Sequence, residues 1–210
     1  MLSFNNRKQV ERRLKERLMA DHYQTGVNMD TMYSGRLLIA GPVLNSSPIF
    51  SRSVVYIYEH RVDGGEVMGV ILNKPSQFRC SSLGLLKDIP FDPQLEETFV
   101  HKGGPVNDTS VLLLHTNEWQ STNTLQSGKD LAMTSDMLMI EKLSTGNVPK
   151  GWRMFAGMSV WTEDQLANEI KQGAWLFAQP NNHSVFDFNE EEQYLKALEL
   201  CSKQTFSKYI

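Results

Sequence analysis

From Arg36 to Leu72 the apolar positions fall in short unbroken runs, each closed by a chain breaker, and they do not recur at helical spacing. Arg36–Ala40 is one such run, ended by Gly41-Pro42. Ser53–Tyr58 is β-branched and aromatic, a composition that suits a pleated, half-buried strand, and Glu59-His60 follows it. Asp63-Gly64-Gly65 reads as a tight turn, because glycine accepts positive φ without a Cβ clash. Val67–Leu72 is then the returning strand of an antiparallel hairpin, and it runs into Asn73-Lys74-Pro75. On this pattern Glu59 and His60 sit where the strand gives way to the turn.

Downstream the pattern alternates. Gln77–Asp88 reads as a loop with a short helix around Ser82–Lys87, and Pro90 and Pro93 flank a further loop. Thr98–Lys102 and Ser110–His115 read as neighbouring strands joined by Gly103–Asp108. Leu131–Met133 is a short strand, and Met137–Leu143 a helix with Ser135 or Thr134 as N-cap and Gly146 past its end. Trp152–Gly157 is a strand, and Thr162–Gln172 a helix with a Thr162-x-x-Gln165 capping box and Gly173 as terminator. Trp175–Gln179 and Ser184–Phe188 read as strands. Asn189 caps a helix over Glu190–Cys201, whose three leading glutamates suit the positive end of its dipole. Without a βαβ rhythm, these elements predict one α+β domain over residues 35–210, a largely antiparallel or mixed sheet flanked by helices. Residues 1–34 stand apart as a helical extension and polar linker, because Val10, Leu14 and Leu18 recur every four residues as a narrow apolar stripe.

Composition narrows the class. At 210 residues with 40% hydrophobic content, the chain is ordinary for one globular domain. No apolar run approaches the ~20 residues that span a bilayer, and the basic N-terminus is not followed by the apolar core of a signal peptide. The expected location is the cytoplasm, where Cys80 and Cys201 are thiols and not a bridge. Residues 1–22 hold six basic side chains, Arg13 and Arg17 among them, against three acidic ones. That segment carries +3, and since the whole chain is at −3 the remainder carries −6. An acidic body does not advertise nucleic-acid binding, which needs clustered Lys and Arg. The basic helix carrying Val10, Arg13, Leu14, Arg17 and Leu18 is a candidate contact with a protein partner or a second copy.

Candidate chemistry is sparse. Glu59-His60 is the only adjacent acid–imidazole pair, but strand neighbours point to opposite faces unless the strand ends there. The five histidines are scattered and the two cysteines far apart, so neither a metal nor a cofactor is expected. His101 and His115 across a hairpin fall short of a zinc ligand set. No hydroxyl or thiol lies in a recognisable activating motif. Gly103-Gly104-Pro105 is not a phosphate loop. A candidate functional rim would gather Glu59, His60, Asn73 and Lys74 beside Gly103 and Gly104, with exposed turn N–H groups able to hold an anion or a peptide. The competing reading of Asn73-Lys74-Pro75 is purely structural, an Asn satisfying backbone groups and a Pro fixing the chain's exit.

The ordered motifs resemble the bacterial YqgE/AlgH family. They are Gly35–Ala40 with Pro42, Phe50–Ile57 with Glu59-His60, Met68–Pro75, Gly103–Val106, Leu114-His115, Gly157 with Trp161, Gln165-Leu166, Glu169-Ile170 and Trp175. Val160 and Thr162–Asp164 depart from the glycine-rich turn of the family's third motif. The resemblance implies a compact α+β domain of uncertain function, described as a candidate transcriptional regulator, and it brings no catalytic residue with it. Three readings follow: a non-enzymatic regulatory or adaptor protein acting through protein contacts, a hydrolase-type enzyme using Glu59, His60 and Asn73, or DNA binding through the basic helix.

Overall fold

The computed structural model describes residues 33–61, 65–85, 90–95 and 97–207. The helix expected around Val10, Leu14 and Leu18, the Asp63-Gly64 turn and the end of the helix expected at Ser82–Lys87 lie outside them. Strand β1 (Leu37–Ala40) is buried along its length between β2 (Val54–Arg61) and β10 (Trp175–Ala178), antiparallel to both. β2 pairs antiparallel with β3 (Glu66–Ile71), the hairpin that the sequence predicts.

The spine of the sheet is β9 (Trp152–Thr162). One edge pairs with β6 (Val106–Thr116), which continues through β8 (Leu131–Thr134) to β7 (Leu125–Ser127). Its other edge is shared end to end by β3 and β5 (Phe99–Lys102), and the Ile71 N–H donates to Gly103 O at 2.9 Å across the join. β5 carries β4 (Pro75–Arg79) on its far side. All pairings in this ten-stranded sheet are antiparallel except β5–β9. The join demands glycine. A Cβ at Gly103 would stand 2.1 Å from Gly157 O, and Gly157 itself sits at φ +72° inside β9.

Residues alternate across the sheet, as a pleat requires. Leu113 and Met154 face a smaller core with Trp119, Cys80 and helix α2 (Met137–Ser144); short helix α1 (Ser81–Leu85) lies beside it. Leu112, Leu114 and Phe155 face the larger core, closed by α3 (Glu163–Lys171), α4 (Asn182–Phe186) and α5 (Glu190–Phe206). Glu169 on α3 accepts from the indole N–H of both Trp161 and Trp175, at 3.1 and 2.7 Å.

Arg153 joins these layers. Its guanidinium is buried and donates to Leu72 O (2.6 Å), Gln193 Oε1 (2.8 Å), Phe186 O (3.1 Å) and Phe188 O (2.9 Å), with Asn189 Oδ1 at 3.4 Å. One side chain of β9 thereby fixes the end of β3, the exit of α4 and the first turn of α5.

Several elements depart from the sequence reading, each for a local reason. Ser184–Phe188 is not a strand: Asn181 and Ser184 exchange side-chain and backbone bonds in a capping box that starts α4. Gln77–Arg79, expected in a loop, belongs to strand β4 (Pro75–Arg79), because β5 offers it an edge. The N-cap of α2 is Asp136, which accepts from Met139 N–H. Asn189 makes no side-chain cap bond, its carboxamide being turned toward Arg153. His101 and His115 are not on adjacent strands, since Phe155 of β9 pairs with His101 on one side and Leu112 on the other.

Arg153→Met should lower the unfolding free energy by about 3 kcal/mol or more, because several buried acceptors lose their donor together. Urea unfolding of the two chains measures this. A loss under about 1 kcal/mol would mean that the helices hold without the guanidinium.

Candidate functional site

The expected rim divides into two places. β2 does not end at Tyr58 but runs through Arg61, so Glu59 and His60 face opposite sides. Glu59 lies on the outer side and accepts twice from Arg61, at 2.5 and 3.2 Å. His60 turns inward. Asn73 is at the other end of the hairpin, with Oδ1 accepting from Val54 N–H at 2.9 Å. Val54 to His60 is about 20 Å of strand at ~3.3 Å per residue, so Asn73 cannot join His60 in one site.

The residues gathered around Asn73 are occupied structurally. Its amide donates to Arg52 O and Glu190 O, at 2.9 and 3.1 Å. Lys74 donates to Ser51 O at 2.8 Å, and burial together with the neighbouring Lys102 pushes its pKa down. Gly103 N–H donates to Ala156 O, and its carbonyl accepts from Ile71 and Ser159. That N–H is therefore spent within the sheet. Gly104 is at φ +156°, and a Cβ there would stand 2.3 Å from the Met158 carbonyl oxygen.

His60 has other company, drawn from distant sequence. Its side chain is 2% exposed, with Nε2 3.8 Å from Glu163 Oε2 at the start of α3. Neither ring nitrogen has a hydrogen-bond partner among the described residues. Thr162 caps α3 by accepting from Gln165 N–H, and Glu163 N–H donates to Gly65 O at 2.7 Å, which ties the helix to the hairpin turn. The Tyr33 ring lies tilted against His60 at 5.1 Å and stacks on Phe177 at 6.0 Å. Burial holds the His60 imidazole below its ordinary pKa against the pull of Glu163. Burial, with Glu163 adding to it, raises the Tyr33 phenol. Among the described residues no group of three or more His, Cys, Asp or Glu is placed to hold a metal.

Phe177 leads from this cluster into a groove of about 550 Å³ between the outer edge of β10 and the end of α5, lined also by Arg36, Gln179, Gln204 and Thr205. Burial lowers the pKa of the Arg36 guanidinium, with Tyr33 acting the other way. At the groove's end Gln204 behaves as a peptide group of a missing strand. Its Oε1 accepts from Gln179 N–H and its Nε2 donates to Gln179 O, both at 2.8 Å. Ladder alternation turns the Phe177 N–H and C=O toward the same outer edge.

The sequence pointed to none of Tyr33, Arg36, Glu163, Phe177, Gln179 or Gln204. Glu163 reads as an ordinary first-turn acid, and Gln204 falls beyond the expected helix end at Cys201. The stripe Val10, Arg13, Leu14, Arg17 and Leu18 lies outside the described residues.

The sequence model of the AlgH-like family matches residues 37–205. A UPF0301 protein of Chromobacterium violaceum is 34% identical over 170 residues, covering 80% of this chain and 89% of the relative. Another, from Rhizobium etli, is 30% identical over 173 residues, covering 79% and 85%. The solution structure of AlgH from Pseudomonas aeruginosa superposes with a TM-score of 0.69 at 26% identity, covering 83% of this chain and 90% of that one. A crystal structure of a Corynebacterium diphtheriae protein gives 0.54 at 25% identity, covering 76% and 86%.

Buried histidines make stability depend on pH. His101 is held down to about 4, chiefly by burial and then by Arg153. Its folded pKa lies below the unfolded value near 6.5, so its contribution is complete above that value and is lost as pH falls toward 4. About 3 kcal/mol should disappear across this window. Urea unfolding at pH 7 and pH 4 checks it. His101→Gln should flatten the dependence, and an unchanged slope would refute the assignment to His101.

Proposed function

This chain belongs to the AlgH-like family, and from its own surface we propose that it is a non-enzymatic regulatory or adaptor protein of the cytoplasm. It holds a segment of a partner protein in the groove between β10 and α5. The observation that carries this reading is the bidentate bond of Gln204 to the Gln179 backbone. A side-chain amide already plays the part of an added strand at one end of the outer edge of β10, which pairs with no strand among the described residues, and the same edge continues past Phe177 into the groove. Extended peptides add to such edges through main-chain bonds, while pockets beside the edge select side chains. The groove volume falls in the range of ordinary ligand sites.

The hydrolase alternative needed Glu59, His60 and Asn73 together, and they are separated. Regulation of transcription, on this reading, proceeds through protein contacts, because the body outside the N-terminal segment carries −6. Two free thiols are consistent with a reducing compartment.

Thr205→Trp, which fills the groove, and Arg36→Glu, which reverses its charge, should each abolish capture of the proteins that the wild-type chain retains from its native cell. Lys150→Glu, on an exposed loop, should not. Affinity purification with mass spectrometry on chains of matched circular dichroism decides it, and undiminished capture by both groove variants would overturn the reading.

A further inference from the structure

We propose that the His60 imidazole, faced by Glu163 and covered by the Tyr33 ring, is an acid-released latch on the Phe177 wall of the groove. Its bearing on partner binding rests on the groove reading above; the latch itself stands on the packing around His60.

The ladder sets the imidazole in place. His60 pairs with Val67 of β3, and Val67 pairs with Trp161 of β9, so the three side chains form one row on the inner face of the sheet. Val67 and Trp161 belong to the larger core, against which Tyr33 and Phe177 also pack. An aromatic hydrocarbon would fill the end of this row at no polar cost. The imidazole there is 2% exposed, and neither of its nitrogens has a hydrogen-bond partner among the described residues. A buried polar group left in this condition costs free energy, and most folded proteins avoid it.

The surroundings hold few charges among the described residues. Glu163, on the first turn of α3, faces His60 with its carboxylate oxygen 3.8 Å from Nε2, too long for a hydrogen bond. Tyr33 brings a phenol, itself within the field of Glu163 and Arg36. β3 and β9 contribute the uncharged Val67 and Trp161. Glu169, farther along α3, is engaged by the Trp161 and Trp175 indoles. Glu59, Arg61 and Glu66 pair with one another on the outer face.

Two protonation states then favour two arrangements. The neutral ring tolerates burial. The imidazolium does not, because the attraction of Glu163 at 3.8 Å does not offset its desolvation, and burial accordingly holds the pKa below its ordinary value. Turned outward, the ring regains a value near 6.5. The buried arrangement is therefore fully favoured above that pH and loses ground as pH falls toward the lower, buried value. Between the two values each pH unit shifts the ratio of arrangements by up to about tenfold. The way out is past the half-exposed Glu163 carboxylate. The helix start that carries Glu163 is pinned by the Thr162 cap and by the Glu163 N–H on Gly65 O. Tyr33 is the group left to yield. Its ring lies 5.1 Å from the imidazole and stacks on Phe177 at 6.0 Å, only 12° from parallel. Phe177 lines the groove, so releasing Tyr33 uncovers one face of a groove wall.

Nuclear magnetic resonance of the full chain between pH 7.5 and pH 5 tests this without a partner. The His60 Cε1–H signal should titrate with a midpoint below about 6.5. With the same midpoint, the Tyr33–Phe177 ring contacts should fade and the Phe177 and Gln179 amides should shift. His60→Phe, which keeps a ring in the row, should abolish the transition in the groove. Glu163→Gln removes the attraction and should move the midpoint to lower pH, while His101→Gln should leave it in place. Groove signals that stay still while His60 titrates overturn the proposal, as does a groove transition that survives His60→Phe or a midpoint indifferent to Glu163→Gln. If groove variants keep their captured proteins although Phe177 follows His60, the groove reading falls and the latch stands. If they lose them and Phe177 ignores His60, the latch alone falls.

Discussion

A buried guanidinium with no carboxylate beside it among the described residues organises the molecule. Arg153 keeps its charge in the interior by donating to carbonyl and amide oxygens alone, and burial draws its pKa down to about 10, still protonated at neutral pH. A lone buried cation is costly unless its donors are satisfied, and here they are satisfied by three separate segments. Planar guanidinium geometry suits this task, since its fork reaches several acceptors at fixed angles where an ammonium could not. The arrangement therefore holds only when β3, α4 and α5 are all in place. The bond to Gln193 is relayed onward, because the Gln193 amide donates to Ser184 O and Val185 O.

From that anchor α5 is set along the sheet. Tyr194 donates to Ala40 O in β1, and Gln204 closes on β10 at the far end. The groove is thus a consequence of where α5 starts, although its working residues lie three to four turns away. Its floor is equally constrained: β1 lies buried between β2 and β10, so β10 can offer only its outer edge. On the proposed function, a rigid edge and a fixed helix end would let a peptide bind without reorganising the protein, which lowers the entropic cost of binding.

Much of the fold was legible because its signals are local. Gly and Pro bound the strands, Val and Ile fill them, and Thr162 with Gly173 brackets α3. The errors came where local signals competed. Ser184-Val185-Phe186 looks extended by composition, but Asn181 three residues earlier had already committed the backbone to a helical turn. Glu59-His60 looks like one polar pair, yet β2 runs on through three more ladder pairs, Glu59–Met68, His60–Val67 and Arg61–Glu66, and this sends the two side chains to opposite faces. The candidate site was hardly legible at all. Arg36, Phe177 and Gln204 come from a strand end, an edge strand and a helix end; only Arg36 sits in a motif, Gly35–Ala40, and nothing there marks it as a site residue. Such a surface is assembled by the register of β10 against β1 and the length of α5, both of which are tertiary facts.

Native-state hydrogen exchange most directly tests the central claim, that α5 and the groove at β10 are one unit hung on Arg153. The Gln179 amide is the sensitive reporter, since its bond depends on the placement of α5. In Arg153→Met the account predicts that Gln179 and the α5 amides open together and faster, while Tyr56 and Val70 in the β2–β3 ladder keep most of their protection. Equal acceleration everywhere, or a Gln179 amide indifferent to the loss of Arg153, would contradict it.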